Sequence, residues 1–374
     1  MFDRTKSPRG EPADGRSTSG SGVHSLAEIL SQPECWHECF EDLNSGGVLR
    51  LVAERFEAAR GWLFIGCGSS YYVALSAAVT TTALTRLPAQ AVPASEILLY
   101  PDLVLAGRKQ WVPVLISRSG RTSEVLRAAE LLKSRNIPAL AITCAPAQPL
   151  EKLATVVITL PHADEKSTVM TRSFSSMLLA SQALASVLAG NTEFSDSLHK
   201  MPAEVAGLLQ SLPATVRDFV NAHRFADYVC LGQGAFYGLA CEYALKVTEM
   251  ALSYAQSFHT LEFRHGPKSI VGPETLLVFL LSESGYQAEC EVLEEMKGLG
   301  ATTLVVVNHA DNRARAAADL LVELSLSAPE FGRLAPCLFA GQLLGLCSGL
   351  QKGLDPDLPR NLTRVVTLEP DNSW

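Results

Sequence analysis

The sequence has no run of five or more basic residues, and its formal net charge is −8. Neither a nucleic-acid surface nor an anionic-membrane surface is written into it. Bilayer-length apolar runs are missing too. The longest apolar stretch, Phe174 to Leu188, is broken by Ser175, Ser176, Ser181 and Ser186 and falls short of the ~18–20 residues of a membrane span. It reads as a buried helix. No charged segment followed by an apolar one opens the chain; Met1 to Gly22 is rich in Gly, Ser, Pro and mixed charge, which speaks against secretion. The nine cysteines (35, 39, 67, 144, 230, 241, 290, 337 and 347) form no C-x-x-C pair and no regular framework. They read as reduced core residues of a cytosolic protein. None of the eight histidines stands in an H-x-H or H-E-x-x-H arrangement, so neither a metal site nor a cofactor is expected. Nucleophile elbow, Walker loop and kinase signatures are absent as well.

What is present is ordinary globular material. Hydrophobic residues make up 47% and charged residues 19% of 374 positions, which excludes disordered and fibrous chains. The length suggests roughly two domains. The expected division is a mobile tail (1–23), N-terminal helices and a first domain (24–207), a linker (208–222), a second domain (223–360) and a C-terminal tail (361–374). His24 to Glu38 predicts a helix with Ser25 as N-cap, broken at Pro33, then a second short helix. Val48 to Ala59 follows as an amphipathic helix. Trp62 to Ile65, Val112 to Ile116, Ala139 to Thr143 and Thr155 to Thr159 are short apolar strands, with helical runs to Leu84 and Lys133 between them. The pattern restarts with a strand at Tyr228 to Leu231, a helix to about Tyr254, and strands at Leu276 to Leu281 and Thr303 to Val307 flanking a helix at Gln287 to Gly298. Such alternation predicts an α/β fold with two parallel sheets, each covered on both faces.

Two strand-to-helix turns in the first half, Gly66-Cys67-Gly68-Ser69-Ser70 and Ser117-Arg118-Ser119-Gly120-Arg121-Thr122-Ser123, combine small residues, hydroxyls and helix N-termini. That combination suits an anion. Ser69, Ser70, Ser117, Ser119 and Thr122 are the candidate ligands. Either turn alone is equally a plain N-cap; two in one domain favour a ligand. Dinucleotide binding, with Glu96 as the acidic partner, is the weaker reading. Tyr71 replaces the third glycine, and Gly232-x-Gly234-x-x-x-Gly238 has the wrong spacing.

In the second half Glu242, Lys246 and Glu249 fall on one helical face. An exposed Glu-to-Lys pair is the plain reading, but Ala240, Cys241, Ala244, Leu245, Val247 and Ala251 around it leave little room for solvent. A partly buried glutamate beside a lysine suits proton transfer. His265, in the loop Phe263-Arg264-His265-Gly266-Pro267-Lys268, adds a second proton carrier; alone it would pass as a solvated or capping residue.

Taken together, Glu28 to Pro33 (EILSQP), Gly66 to Ser70, Ser117 to Thr122, Met170 to Leu178 (MTRSFSSML), Glu242 to Glu249 and Phe263 to Ile270 (FRHGPKSI) resemble the sugar isomerase (SIS) domain superfamily in its tandem form. The likeness runs from His24 to Pro370. It includes the isomerase half of glucosamine-6-phosphate synthase and is nearest in wording to the AgaS group of galactosamine-6-phosphate deaminase/isomerases. The resemblance implies two three-layer αβα sandwiches of flavodoxin-like, doubly wound type. It also implies a phosphorylated amino sugar as ligand, no metal or redox cofactor for the proton chemistry, and a homodimer with shared sites. By the same resemblance Ser69, Ser70, Ser117, Ser119 and Thr122 hold the 6-phosphate, Gly68, Arg118 and Arg364 also bind the substrate, and Glu249 moves the proton between C1 and C2. Glu242 and Lys246 support it, and His265 opens the ring, in this family from a partner subunit. Arg364 stands where the synthase carries its imine-forming lysine, and a guanidinium forms no Schiff base at neutral pH. No glutaminase-type segment precedes the tandem, so glutamine is not the expected ammonia source. Arg118 and Arg121 place charge where the synthase's phosphate turn has uncharged and acidic residues. Simple aldose–ketose isomerisation, fructosamine-phosphate deglycation and a non-catalytic phosphosugar sensor are the alternatives; sensors of this type carry a DNA-binding domain.

Overall fold

Short apolar runs become strands, and the glycine- or serine-rich turns after them become helix starts. The computed structural model describes residues 20–368; the expected mobile tail lies almost wholly outside them, as do the last residues of the expected C-terminal tail. In chain order the elements of the first half are α1 (Val23–Leu30), α2 (Gln32–Ser45), α3 (Val48–Arg55), β1 (Gly61–Gly66), α4 (Ser69–Thr85), β2 (Ala89–Pro93), α5 (Ala94–Leu99), α6 (Pro101–Leu105), β3 (Trp111–Ile116), α7 (Ser123–Ser134), β4 (Leu140–Thr143), β5 (Val156–Thr159), α8 (Arg172–Ala189) and α9 (Thr192–Val205). Then come α10 (Leu208–Ala222), β6 (Asp227–Gly232), α11 (Phe236–Ala251), β7 (Ala255–Phe258), β8 (Thr275–Leu280), α12 (Tyr286–Gly298), β9 (Thr302–Val307), α13 (Asn312–Ala317), β10 (Leu320–Glu323) and α14 (Leu334–Gln351). The predicted joining segment is thus itself a helix, α10, packed on α14.

Both sheets are parallel and five-stranded, ordered β2-β1-β3-β4-β5 and β7-β6-β8-β9-β10. The strand order reverses beside β1 and β6, and such doubly wound sheets bind ligands at that crevice, outside the carboxyl ends of the strands. Side chains alternate along each strand. Trp62 and Phe64 face a core shared by both halves, whereas Leu63 and Ile65 face an outer cluster of the first half alone. Tyr228 and Cys230 join the shared core, and Val229 and Leu231 join the second half's own cluster. One hydrophobic core therefore fastens the halves together.

Two expectations change in three dimensions. Helix α1 begins at Val23, with Gly22 (φ 70°) at the N-cap, so Ser25 lies inside the helix. Its amide and hydroxyl donate to Oδ1 of Asp357 at 2.7 and 2.6 Å, and the His24 amide donates to Oδ2 at 2.9 Å. A carboxylate from the far end of the chain thus caps α1. The second change concerns apolar length. Residues Glu330–Gln351, which include α14, are long and apolar enough to cross a membrane, but 89% of the 18-residue apolar window within them is buried in the protein. It is a core helix, and its glycines explain its depth. A Cβ at Gly341 would meet the Tyr243 ring at 2.4 Å, at Gly345 the Lys246 carbonyl oxygen at 2.8 Å, and at Gly349 the Met250 carbonyl oxygen at 2.3 Å. This stripe lets α14 lie directly on the backbone of α11.

Candidate active site

The first-half turns meet at the predicted crevice. Gly68 (φ 54°) turns the chain from β1 into α4, and Ser69 and Ser70 open the helix, both buried. Across the crevice, Thr122 stands at the N-cap position of α7 without a side-chain capping bond, its hydroxyl 3.3 Å from that of Ser117. The Ser119 hydroxyl accepts from the Arg121 amide at 3.2 Å. Among the described residues no acceptor meets the amides of Arg118 and Ser119. The start of α4 and the turn before α7, with its unpaired amides, thus face one cavity of about 210 Å³. It is lined by residues 67–70, Arg118, Ser119, Thr122, Thr168, Met170, Leu245, Glu249 and residues 362–366. Cavities of about 340, 450 and 640 Å³ lie elsewhere, but Ser69, Ser119 and Glu249 line none of them.

The second half reaches this cavity through helix packing. Gly238 leaves room for α4: a Cβ there would meet the Tyr72 carbonyl oxygen at 2.6 Å. The Ser76 hydroxyl donates to the Ala235 carbonyl at 2.7 Å. The second glycine turn is therefore a packing device between α4 and α11. It delivers the acidic face of α11 to the first half's serines.

On that face Lys246 Nζ lies 3.2 Å from Glu242 and 2.5 Å from Glu249, with all three side chains 15% exposed or less. Both contacts are buried ion pairs, and the second carboxylate oxygen of Glu242 is buried with no hydrogen-bond partner. Burial pushes the Glu242 carboxyl up to about 7, opposed by Lys246 and reinforced by the Glu249 charge. Burial also disfavours the Lys246 ammonium, but the two carboxylates outweigh it and raise its pKa above the ordinary lysine value. The lysine stays charged, and Glu242 is the acid that approaches neutrality. Glu249 alone of the three lines the cavity. A carboxylate so placed, beside an ammonium and opposite an anion cradle, is equipped to move a proton on a phosphorylated ligand.

Arg118, expected beside the phosphate, has both terminal nitrogens engaged by protein. It pairs with buried Glu165 at 3.2 Å and donates to the carbonyls of Val169 (3.3 Å), Thr168 (3.0 Å) and Arg364 (2.8 Å). It ties the C-terminal segment over the crevice, where the Ser123 amide also donates to the Val366 carbonyl at 3.2 Å. The Arg364 side chain pairs with Asp164, and Arg121 is exposed. His265 is exposed in the loop that follows β7 and does not line the cavity of its own chain.

Arg364, expected near the substrate, does line the cavity, whereas its neighbours Leu362, Thr363, Val365 and Val366, together with Thr168, Met170 and Leu245, are walls that reading the sequence did not single out. Met170 opens the MTRSF stretch, which was recognisable, and Thr168 lies just before it, but their role as walls depends on chain packing. That stretch and EILSQP form a buried polar seam. Thr171 and Ser173 donate to Glu165 through their amides at 2.6 and 3.1 Å, and Gln32 accepts from Ser175 at 2.6 Å and donates to Gln342 at 2.8 Å. Among the described residues no group of three or more His, Cys, Asp or Glu side chains is gathered as for a metal ion.

The SIS domain family model matches residues 56–187 and 227–343. Glutamine–fructose-6-phosphate aminotransferase (isomerizing) of Pyrobaculum aerophilum is 27% identical over 94% of the chain, which spans 59% of that relative's length. The structure of glucosamine-6-phosphate deaminase from Thermotoga maritima is 28% identical with a TM-score of 0.76, covering 92% of this chain and all of that one. Tagatose-6-phosphate ketose/aldose isomerase from Escherichia coli, 22% identical with a TM-score of 0.80 over 94% of this chain and 98% of its own, shares the fold.

Proposed function

We propose, from the premise that this chain belongs to the SIS domain family, that it is an amino-sugar-6-phosphate deaminase/isomerase. It converts a hexosamine 6-phosphate and water into a ketohexose 6-phosphate and ammonia. Galactosamine 6-phosphate is the first choice of substrate and glucosamine 6-phosphate the second. The observation that carries this reading is the cavity in which Glu249 faces the hydroxyls and helix starts of Ser69, Ser70, Ser119 and Thr122. The likeness to the Thermotoga deaminase over nearly both chains supports it.

In this mechanism the phosphate sits across the two helix N-termini and His265 of a second copy opens the ring. Glu249 takes the proton from C2 of the open-chain aldehyde, giving an enolamine. Returning it to C1 gives an imine at C2, which water hydrolyses to the ketone and ammonia. Lys246 places its ammonium 2.5 Å from Glu249, beside the proposed base. Arg364, always protonated, stays outside the covalent chemistry.

The test is ammonia release by the purified chain from galactosamine 6-phosphate and glucosamine 6-phosphate in parallel, with and without a chelator. Release from one epimer that survives the chelator supports the proposal and names the substrate. Ketose formation without ammonia replaces it with plain isomerisation, and phosphosugar binding with no turnover replaces it with a sensor.

A further inference from the structure

The segments that leave β3 and β8 are an internal repeat. Ser117-Arg118-Ser119-Gly120-Arg121-Thr122-Ser123-Glu124 and Ser282-Glu283-Ser284-Gly285-Tyr286-Gln287-Ala288-Glu289 are identical at the first, third, fourth and eighth positions. They leave strands at equivalent places in sheets of the same order, and each leads into a helix, α7 or α12.

The second turn already holds an anion. The amides of Glu283 and Ser284 donate to Oε1 of Glu330 at 2.6 and 3.0 Å, and the Ser284 hydroxyl donates to Oε2 at 2.7 Å. Two amides and a hydroxyl converging on one anion beside a helix start is how such turns hold a phosphate monoester. Glu330 comes from the short 3-10 turn Glu330–Arg333 that leads into α14. Beneath it, Ser282 is fixed by Glu289, which accepts from its amide at 2.7 Å and its hydroxyl at 2.9 Å. Glu283, which takes the place of Arg118, pairs with Arg333. A cavity of about 340 Å³, lined in part by Ser282, Glu283, Tyr286, Asn308 and His309, opens beside the turn.

We propose that the turn at residues 282–285 is a second anion-binding site of the same design as the one at residues 117–120, and that the Glu330 carboxylate occupies it as a built-in ligand. A phosphate group binds there only once that carboxylate is gone. With Glu330 in place, its charge and that of Glu283 repel any competing phosphate, so the native chain offers phosphate one turn of this type.

The test uses inorganic phosphate on the full chain. Crystals of wild type and of Glu330→Ala are soaked in phosphate, and calorimetric stoichiometry is compared in solution. The expected result is phosphate on the Glu283 and Ser284 amides in Glu330→Ala only, with one more phosphate bound per chain than in wild type. Glu330→Ser, which keeps a small polar group on the 3-10 turn, serves as the second variant, and cooperative melting shows that each is folded. A folded variant with no phosphate at Ser284 overturns the proposal, as does phosphate at Ser284 in wild type. Phosphate at Ser119 in the same crystals is a separate readout that bears on the proposed function alone.

Discussion

The hydroxyl of Ser69 donates to Oε1 of Glu242 at 3.1 Å across 173 positions of the chain. Ser69 opens the helix after the first strand of one half, and Glu242 lies on the first helix of the other. Neither half holds a complete site. The bond also orders the two glutamates on α11: Glu242 is buried and fastened to the serine turn after β1, while Glu249 is left facing the cavity.

Glu249→Gln is expected to lower kcat by about 10²–10⁴, the usual worth of a positioned general base, with phosphosugar binding kept. Turnover and calorimetry on the same preparation check this. Turnover within a few-fold of wild type removes Glu249 from the proton-transfer role.

His265 acts, in the proposed mechanism, from a second copy. Inactive Glu249→Gln and His265→Asn chains, mixed and re-equilibrated, should then recover about a quarter of wild-type activity, because half of the dimers are mixed and each has one intact site. No recovery, despite exchange of subunits, places His265 outside the shared site.

Arg118→Ala leaves buried Glu165 without its ion-pair partner and unties the Thr168, Val169 and Arg364 carbonyls. Breaking a buried pair from one side costs about 3 kcal/mol, so a clearly lower Tm is expected. An unchanged Tm with a raised KM would instead make Arg118 a phosphate ligand.

Gly345→Ala puts a methyl group 2.8 Å from the Lys246 carbonyl oxygen, which is backbone and has little freedom to yield. Overpacking costs about 1–3 kcal/mol, and the displaced α11 carries Glu249, the proposed base. Stability and kcat should fall together. Loss of stability with kcat intact would show that α11 tolerates the shift.

Burial pushes the Glu289 carboxyl up to about 7 from its ordinary 4.5. The folded chain therefore holds this proton more tightly than the unfolded one, and its contribution to stability declines as pH rises from about 4.5 through about 7. Glu242 acts in the same window. Glu289→Gln should leave stability near pH 4 little changed, flatten part of the decline, and gain up to about 3 kcal/mol at pH 8. Denaturant melts across that range decide it, and an unaltered slope would mean that Glu289 stays ionised in the fold.

Much of this was legible in the residues. The α/β alternation, the serine-rich turns and the Glu242, Lys246 and Glu249 face depend on local periodicity and on small residues at strand ends, which any reader of the chain can see. The strands β2 and β7 at sheet positions beside β1 and β6 were harder: they are short and half-buried, so the apolar signal is weak. Arg118 misled for a different reason. A charge next to a phosphate-type turn looks the same in sequence whether it faces ligand or, as here, a buried glutamate 47 positions away.

Local order along the chain sets the two sheets, the small-residue, hydroxyl-rich turns that open α4 and α7, and the carboxylate–ammonium face of α11. Those are properties of neighbours along the chain. Tertiary structure decided that Glu249, and not Glu242, meets the cavity, that Asp357 caps α1, that residues 362–366 wall the crevice, and that Glu330 fills the second turn. Each joins groups far apart in sequence, and only packing one helix on another fixes which of them touch.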